Sequence, residues 1–217
     1  MTAATPVRGI AFDWGGVFTV GTFDGRAIVR LAALYGLEPA AVRAPYLERM
    51  EAFEIGGLDL PGFQAALSRD LGREVDAGAF RTAFLDAPLE RAATYALLAG
   101  IPGGFVVGML SNNVPVLCDR VRDDVRTARI ERFVFSNEIG VRKPEPAAFA
   151  ALEQAMGLEP AAIVFVDDAP GNVEAARTLG FQALLIDRPA AFAARWRAAL
   201  PDLAHLVDAP GWGADDA

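Results

Sequence analysis

Three clusters of polar residues in this sequence each follow a short, mostly apolar run. The clusters are Asp13 after residues 7–12, Ser111 and Asn112 after residues 105–110, and Asp167 and Asp168 after residues 162–166. Short apolar runs of this kind are typical of buried strands, and open parallel α/β sheets place their ligand sites at the carboxyl ends of such strands. We therefore expect the carboxylates, the hydroxyl and the amide to meet at one edge of a sheet.

A carboxylate such as Asp13 can act as a nucleophile toward phosphorus. Because a phosphate monoester is itself an anion, this attack needs a cation that neutralises both partners and positive groups that hold the phosphate oxygens. Asp167 and Asp168 can supply oxygen ligands for a cation, and Lys143 can supply a point charge. Each feature taken alone also has a simpler interpretation: the acidic pair as a helix cap, Lys143 as a solvated surface residue, and the Ser-Asn pair as a turn.

The elements between these clusters must position them, and they alternate between strand-like and helix-like patterns. A further strand is predicted at residues 181–186. Helices are predicted at residues 114–122, 146–156, 172–179 and 190–200. This alternation favours an α/β fold, in which a parallel sheet is built from right-handed crossover units and carries helices on both faces.

Residues 22–88 differ from the rest of the chain because they contain amphipathic stretches without a convincing buried strand. The stretches are residues 26–35, 40–51 and 60–71. A helical insertion after the first strand is the predicted arrangement. Since such a domain can close over the sheet edge and exclude water, we expect it to determine substrate specificity.

The composition limits the classes of protein to which the chain can belong. Its 217 residues suffice for a full-sized core, and its 53% apolar and 22% charged residues are typical of a folded protein. The net charge of -8, without a Lys/Arg cluster, disfavours nucleic acids and anionic membranes as partners. Cys118 is the only cysteine and no leader or membrane span is recognisable, so we expect a cytoplasmic protein that acts on a small molecule.

Four ordered motifs resemble those of the haloacid-dehalogenase-like hydrolases. The motifs are Phe12-Asp13-Trp14-Gly15-Gly16-Val17, Leu110-Ser111-Asn112, Lys143-Pro144, and Val166-Asp167-Asp168 with Asn172. The resemblance covers nearly the whole chain. It implies a Rossmann-like core at residues 1–21 and 89–217, a helical cap domain at residues 22–88, and a Mg²⁺-dependent phosphatase that forms an aspartyl-phosphate on Asp13.

The resemblance also implies a metal site. One oxygen of Asp13, the backbone carbonyl of Gly15 and the carboxylate of Asp168 would ligate Mg²⁺, with Asp167 as an optional extra ligand. Such oxygen-only, partly hydrated coordination is what Mg²⁺ prefers. Asn172 would orient the acidic loop without contacting the ion.

A phosphate-binding site is implied beside this metal site. The Ser111 hydroxyl and the Asn112 backbone N–H would bind oxygens of the transferred group, and Lys143 would place its charge near both the phosphate and Asp13. A small cap leaves such a site open to compact compounds only. We therefore expect a small phosphorylated metabolite, such as a sugar phosphate, in preference to a phosphoprotein.

One position departs from the pattern of this family. The usual first motif has a second aspartate two residues after the nucleophile, which protonates the leaving group and later activates water; here that position is Gly15. The loss of a positioned acid/base typically costs about 10²- to 10⁴-fold in rate. A good leaving group, a replacement acid from the cap or a slow enzyme would each account for the difference. The candidate replacements, each also interpretable as a solvated helix charge, are Asp24, Glu51, Glu54 and Asp59.

Two other functions are compatible with Gly15. The 2-haloacid dehalogenases of the same family use their aspartate for displacement at carbon, need no metal and lack the second aspartate. Without a metal, Asp167 and Asp168 would only repel the carboxylate of such a substrate, which argues against this function. The second alternative is a catalytically weak or silent phosphate-binding protein, against which the intact Asp13 and Lys143 argue. The sequence makes no prediction about the oligomeric state.

Overall fold

A parallel β-sheet forms the centre of the protein in a computed structural model that describes residues 5–86 and 89–212. Its strands are β1 (Gly9–Phe12), β2 (Val106–Ser111), β3 (Arg132–Phe135), β4 (Ile163–Asp167) and β5 (Gln182–Leu185). They lie in the order β3-β2-β1-β4-β5, and each neighbouring pair is parallel. The predicted α/β fold with a parallel sheet is confirmed.

Ten α-helices surround this sheet within the described ranges. They are α1 (Phe23–Tyr35), α2 (Pro39–Glu54), α3 (Leu60–Leu71), α4 (Ala77–Leu85), α5 (Ala92–Gly100), α6 (Pro115–Asp123), α7 (Ser136–Ile139), α8 (Pro146–Met156), α9 (Pro170–Thr178) and α10 (Pro189–Ala199). None of these helices combines the length and the apolar character that crossing a membrane requires.

Alternate residues of β1 face opposite sides of the sheet. Ile10 and Phe12 belong to a buried cluster that includes residues of α5, α6 and α10, whereas Ala11 belongs to a second cluster with residues of α8 and α9. Both faces are therefore covered by helices. This explains why β1 is apolar and buried at every position instead of alternating between polar and apolar residues.

The four helices α1 to α4 form the segment between β1 and β2. Thr22, Asp59 and Asp76 accept hydrogen bonds from the first turns of α1, α3 and α4, which is why these helices begin where they do. Aromatic side chains fill the space between the helices, and the rings of Phe53 and Phe63 stack with centroids 4.8 Å apart. These side chains belong to the same buried cluster as Ile10 and Phe12 of β1, so the apolar interior of the segment is continuous with that of the core.

The sequence patterns locate four strands and four helices of the core to within two residues, namely β1, β2, β4, β5, α6, α8, α9 and α10, and α1, α2 and α3 confirm the helices expected in the insert. They do not predict α4, α5, α7 or β3. A glycine in the first turn of α4 weakens its helical pattern, and the helix is stabilised by burying Phe80 and Phe84. The four residues of β3 are too few for a strand pattern, and they form a strand by pairing with β2. The predicted domain boundary at residue 88 and residues 1–4 and 213–217 of the predicted core lie outside the described residues.

Candidate active site

Asp13 lies at the carboxyl end of β1, where the chain leaves the sheet. Its backbone N–H donates to the carbonyl of Val166 at 2.8 Å, which holds the residue beside the end of β4. Its side chain is buried. Burial raises the pKa of Asp13 to about 6, an effect that the charge of Lys143 opposes and that of Asp167 reinforces. A carboxylate with so little hydration is well suited to act as a nucleophile, because few water molecules must be displaced before it attacks.

Lys143 is a buried cation that lies between two carboxylates. Its Nζ is 3.0 Å from Oδ1 of Asp13 and 2.6 Å from Oδ2 of Asp167. Burial lowers the pKa of Lys143, but the two carboxylates raise it more, so the pKa lies above its ordinary value. The side chain therefore remains charged at neutral pH and holds a fixed positive charge next to Asp13.

Asp167, the last residue of β4, is fully buried and accepts hydrogen bonds from three residues. Lys143 donates to Oδ2, and the Ala169 N–H donates to Oδ1 at 2.8 Å. The Nδ2 of Asn172 lies 3.1 Å from both oxygens. Asn172, predicted to orient the acidic loop, thus contacts the first of the two loop acids directly.

Asp168 completes a group of three carboxylates at this edge of the sheet. Asp13, Asp167 and Asp168 each offer an oxygen, and these oxygens all lie within 4.8 Å of one another. Burial, together with the charges of Asp13 and Asp167, raises the pKa of Asp168 to about 7. Because like charges this close repel unless a cation lies among them, this all-oxygen donor set fits a hard divalent cation.

Two glycines, Gly15 and Gly16, follow Trp14 in the first motif, and their surroundings in the structure differ. Gly16 has a φ of +71°, and a Cβ on it would collide with the carboxylate of Asp168. Only glycine therefore fits at position 16 while Asp168 keeps its place. At Gly15, by contrast, no atom lies within 4 Å of the position that a Cβ would occupy.

The end of β2 contributes Ser111 and Asn112. Ser111 is buried, and a hydrogen bond from its hydroxyl lowers the pKa of Asp13 against the larger effect of burial. The side chain of Asn112 clamps the backbone of Lys143, because its Oδ1 accepts from the Lys143 N–H at 2.8 Å and its Nδ2 donates to the Lys143 carbonyl at 2.9 Å. The sequence predicts a role only for the backbone N–H of Asn112. Nothing in the local pattern indicates that its side chain holds the backbone of Lys143.

A cavity of about 300 Å³ opens between the insert and the sheet edge. The predicted site residues that line it are Asp13, Gly15, Asn112, Lys143, Asp168 and Asn172. Ser111 and Asp167 are buried and are not among its lining residues. Residues of the insert that line it are Thr22, Phe23, Asp24, Met50 and Glu54. The insert and the core therefore line one cavity together.

Of the four acids of the insert that could replace the missing acid/base, two reach this cavity. Asp24 and Glu54 line it, whereas Glu51 and Asp59 are exposed and lie outside its lining. Asp59 has a structural role instead, since its side chain caps α3. The position of an acid on a helix does not by itself show whether it faces solvent or the site, so the sequence could not separate these four.

Glu54 and Arg142 form a charged pair at the wall of the cavity that the sequence patterns do not indicate. Arg142 Nη2 lies 3.1 Å from Oε2 of Glu54, a buried residue at the end of α2. Burial raises the pKa of Glu54 to about 7; Arg142 opposes this shift, and the charges of Asp24 and Asp13 add to it. In the sequence, only the position of Arg142 next to Lys143 indicates that it lies near the site.

A model of the haloacid dehalogenase-like hydrolase family matches residues 7–180 of the chain. A phosphatase of Mycobacterium tuberculosis is 36% identical over 89 residues, which is 39% of this chain and 40% of that protein. Enolase-phosphatase E1 of Drosophila persimilis is 36% identical over 55 residues, or 25% of this chain and 21% of that protein. The chain thus matches less than half of the length of these curated relatives.

Solved structures with the same fold include enzymes of more than one kind. A predicted hydrolase of this type from Porphyromonas gingivalis has a TM-score of 0.73 at 24% identity, over 92% of this chain and 98% of that one. An enzyme from Bacteroides thetaiotaomicron, in complex with magnesium and inorganic phosphate, has a TM-score of 0.70 at 20% identity over 82% and 93% of the two chains. An L-2-haloacid dehalogenase from Xanthobacter autotrophicus has a TM-score of 0.65 at 18% identity over 84% and 78%. At these identities the likeness concerns the fold.

Proposed function

The chain belongs to the haloacid dehalogenase-like hydrolases, and from this premise we propose that it is a magnesium-dependent phosphatase in which Asp13 attacks the phosphorus of a small phosphorylated metabolite. The observation that carries the proposal is the arrangement of one buried lysine between Asp13 and Asp167, with Asp168 beside them. This arrangement combines a nucleophile, a fixed positive charge and a set of oxygen ligands in one cavity. Curated relatives named as phosphatases support the same function.

Asp13 is the proposed nucleophile because it faces the cavity and is paired with Lys143. The lysine keeps Asp13 in its anionic form, and the burial that raises the pKa of Asp13 also removes water from the attacking oxygen. Attack of a carboxylate oxygen on phosphorus breaks the bond to the leaving oxygen and gives an aspartyl-phosphate. Water then cleaves this intermediate and regenerates Asp13.

The proposed ligands of Mg²⁺ are Asp13, the backbone carbonyl of Gly15 and Asp168, with Asp167 as an extra ligand. Their fit is supported by the clustering of the three carboxylates and by Gly16, whose missing side chain leaves room for Asp168. When bound, a divalent cation supplies charge neutralisation for the phosphate and the carboxylates. The hydrogen bonds that Asp167 accepts from its neighbours give it a second role, which is to position Lys143.

We assign the phosphate oxygens to the Ser111 hydroxyl, the Asn112 backbone N–H and the ammonium group of Lys143. These donors lie at the end of β2 and in the loop that Asn112 clamps, so they are held in place before a substrate binds. Asn172 positions Asp167, through which it fixes the direction of Lys143.

The substrate is proposed to be a compact metabolite, and a sugar phosphate is one class of suitable size. A cavity of about 300 Å³, closed on one side by α1 and α2, supports this limit because a protein surface would not fit into it. We further propose that residues 22–88 act as a cap domain over a core made of residues 1–21 and 89–217. The cap would contribute to specificity through the residues that it places at the cavity wall.

The test is the hydrolysis of 4-nitrophenyl phosphate, measured with Mg²⁺ and with a chelator. An aryl leaving group needs little protonation, so the assay reports on Asp13 and the cation while tolerating the glycine at position 15. We expect Asp13→Asn to abolish release of nitrophenol, whereas the control Asp119→Asn, which removes an exposed carboxylate, retains wild-type activity. Activity that is independent of Asp13 or of Mg²⁺ would contradict the proposal. Release of halide from 2-haloacids would then identify a dehalogenase, and phosphate binding without turnover would identify a silent binding protein.

A further inference from the structure

The cavity is lined by two acids for which neither the nucleophilic attack nor the metal site provides a role. Among the residues that the structure describes, the carboxylates lining the cavity are Asp13, Asp24, Glu54 and Asp168. Asp13 and Asp168 are assigned above to attack and to cation binding. Because Gly15 has no side chain, the leaving oxygen still lacks a proton donor, and Asp24 and Glu54 are the two acids that remain.

The two acids differ in their partners, because Asp24 accepts a hydrogen bond from a hydroxyl whereas Glu54 is paired with the cation of Arg142. The hydroxyl of Tyr46 donates to Oδ1 of Asp24 at 2.8 Å and opposes the effect of burial, which on balance raises the pKa of Asp24. Oε2 of Glu54 is buried and accepts no hydrogen bond from the described residues, although Arg142 lies 3.1 Å away. Glu54 therefore keeps hydrogen-bonding capacity for a group that enters the cavity.

The backbone of Glu54 is hydrogen-bonded to the core, which holds this acid at the cavity that Asp13 also lines. The Ser136 hydroxyl donates to the Glu54 carbonyl at 2.6 Å and accepts from the Asn113 N–H at 3.0 Å. Gly56 packs so tightly against the core that a Cβ on it would lie 2.7 Å from the carbonyl oxygen of Asn137. These contacts link the end of α2 to the segment that follows β2, next to the proposed phosphate site.

The charges around Glu54 keep both of its protonation states accessible near neutral pH. Burial raises its pKa to about 7, as do the charges of Asp24 and Asp13, whereas Arg142 and Lys143 lower it. A group that must first give up a proton and then take one works best when its pKa is close to the working pH. Asp13, which must remain ionised to attack, is kept so by its direct pairing with Lys143.

We propose that Glu54, contributed by the insert, is the general acid and base that Gly15 cannot supply, and this inference rests on the phosphatase function proposed above. When Asp13 attacks, the bond between phosphorus and the leaving oxygen breaks, and that oxygen takes the proton of Glu54. The resulting carboxylate accepts a proton from water as the water oxygen attacks the aspartyl-phosphate. The bond between phosphorus and Asp13 then breaks, so that phosphate leaves and both acids return to their starting forms.

The test compares Glu54→Gln with wild type on two substrates in rapid-mixing experiments with Mg²⁺. With 4-nitrophenyl phosphate, we expect Glu54→Gln to release one equivalent of nitrophenol at the wild-type rate, because this leaving group needs no acid. The subsequent turnover should fall about 10²- to 10⁴-fold, since hydrolysis of the intermediate lacks its base. With an alkyl phosphate, the first turnover itself should slow by a similar factor.

The matched control is Glu48→Gln, which removes an exposed carboxylate from the same helix and should behave as wild type on both substrates. A second variant adds Gly15→Asp to Glu54→Gln. Because no atom lies within 4 Å of the Cβ position at Gly15, the new acid has room beside the cavity and should restore turnover at least 10-fold.

Two outcomes separate this inference from the phosphatase proposal. If wild type forms the burst but Glu54→Gln turns over like wild type, or slows the first turnover equally on both substrates, Glu54 is not the acid and base. If wild type forms no burst, or Asp13→Asn forms a normal one, the phosphatase function fails and the role of Glu54 fails with it.

Discussion

Replacing Gly16 by alanine should disable the acidic cluster without removing any of its carboxylates. Gly16 has a φ of +71°, which an alanine adopts only with strain, and its added Cβ would overlap the carboxylate of Asp168. The carboxylate must then move away from Asp13. We therefore expect Gly16→Ala to reduce both the free energy of unfolding and the affinity for Mg²⁺.

The two contributions can be estimated separately. A left-handed conformation costs an alanine about 1–2 kcal/mol, while the stiffer unfolded chain returns roughly 0.4–1 kcal/mol, so the backbone alone accounts for a loss of about 0–2 kcal/mol. Overlap with a packed side chain adds roughly 1–3 kcal/mol. Displacement of Asp168 should weaken Mg²⁺ binding by at least about 10-fold, since even residues that only support metal ligands are worth that much.

Gly157 provides the matched control for this prediction. Its φ is +64° at the end of α8, but no atom lies within 4 Å of its Cβ position, and it does not line the cavity. Gly157→Ala should therefore show the backbone cost alone. The assays are urea denaturation with Mg²⁺ present and a titration of activity against Mg²⁺ concentration for both variants.

The reasoning is refuted if the two variants are equally destabilised and reach half of their activity at the same Mg²⁺ concentration as wild type. Such a result would mean that Asp168 moves without consequence, and that it is not a ligand. If Gly16→Ala loses stability but keeps the Mg²⁺ dependence of wild type, Asp168 is likewise not a ligand. The predicted overlap between the added Cβ and Asp168 would still be supported.

Three further predictions concern buried ionisable groups. Lys143→Met leaves Asp13 and Asp167 without their cation, and should lower the free energy of unfolding at pH 7 by about 3–5 kcal/mol and abolish phosphatase activity. Because the folded pKa of Glu54, about 7, exceeds the ordinary glutamate value of 4.5, its protonated form contributes stability that is full below pH 4.5 and is lost as the pH rises through 7. With chelator present, the free energy of unfolding of wild type should therefore fall between pH 5 and pH 8 relative to that of Glu54→Gln; parallel curves would show that Glu54 titrates normally. Burial raises the pKa of Cys118 to about 12, so folded protein should resist alkylation by iodoacetamide at pH 8, as measured by mass spectrometry, while urea-unfolded protein reacts; equal rates would contradict the burial.

Much of the core is predictable because its strands and helices can be recognised from short stretches of sequence. An uninterrupted apolar run predicts a strand buried on both faces, and β1, β2 and β4 end at the polar clusters that the patterns indicate. Parallel strands align their carboxyl ends at one edge, so the meeting of Asp13 and Asp168 follows from topology. Strand β3 escapes prediction because four residues at the edge of a sheet depend on the neighbouring strand more than on their own pattern.

In the insert, the local sequence pattern does not determine which side chains face the cavity. Helical periodicity predicts a helix over residues 40–51, whereas the observed helix continues to Glu54. The pattern does not say that Glu51 faces solvent and that Glu54 lines the cavity. That difference arises because the end of α2 is hydrogen-bonded to Ser136, which is far away in the chain. The same is true of the clamp between Asn112 and Lys143, which joins two loops that no sequence motif links.

The order and chemistry of the four motifs are sufficient to propose Asp13 as the nucleophile and to indicate the acids and the lysine that surround it, because residue type and strand position are properties of the chain. Packing alone decides which groups are desolvated and paired. A pKa depends on burial and on charges within a few ångströms, and both arise only when distant segments meet. Glu54 illustrates the distinction: as a residue of a helix it is an ordinary charge, and only its burial beside Arg142 at the wall of the cavity makes it a candidate acid and base.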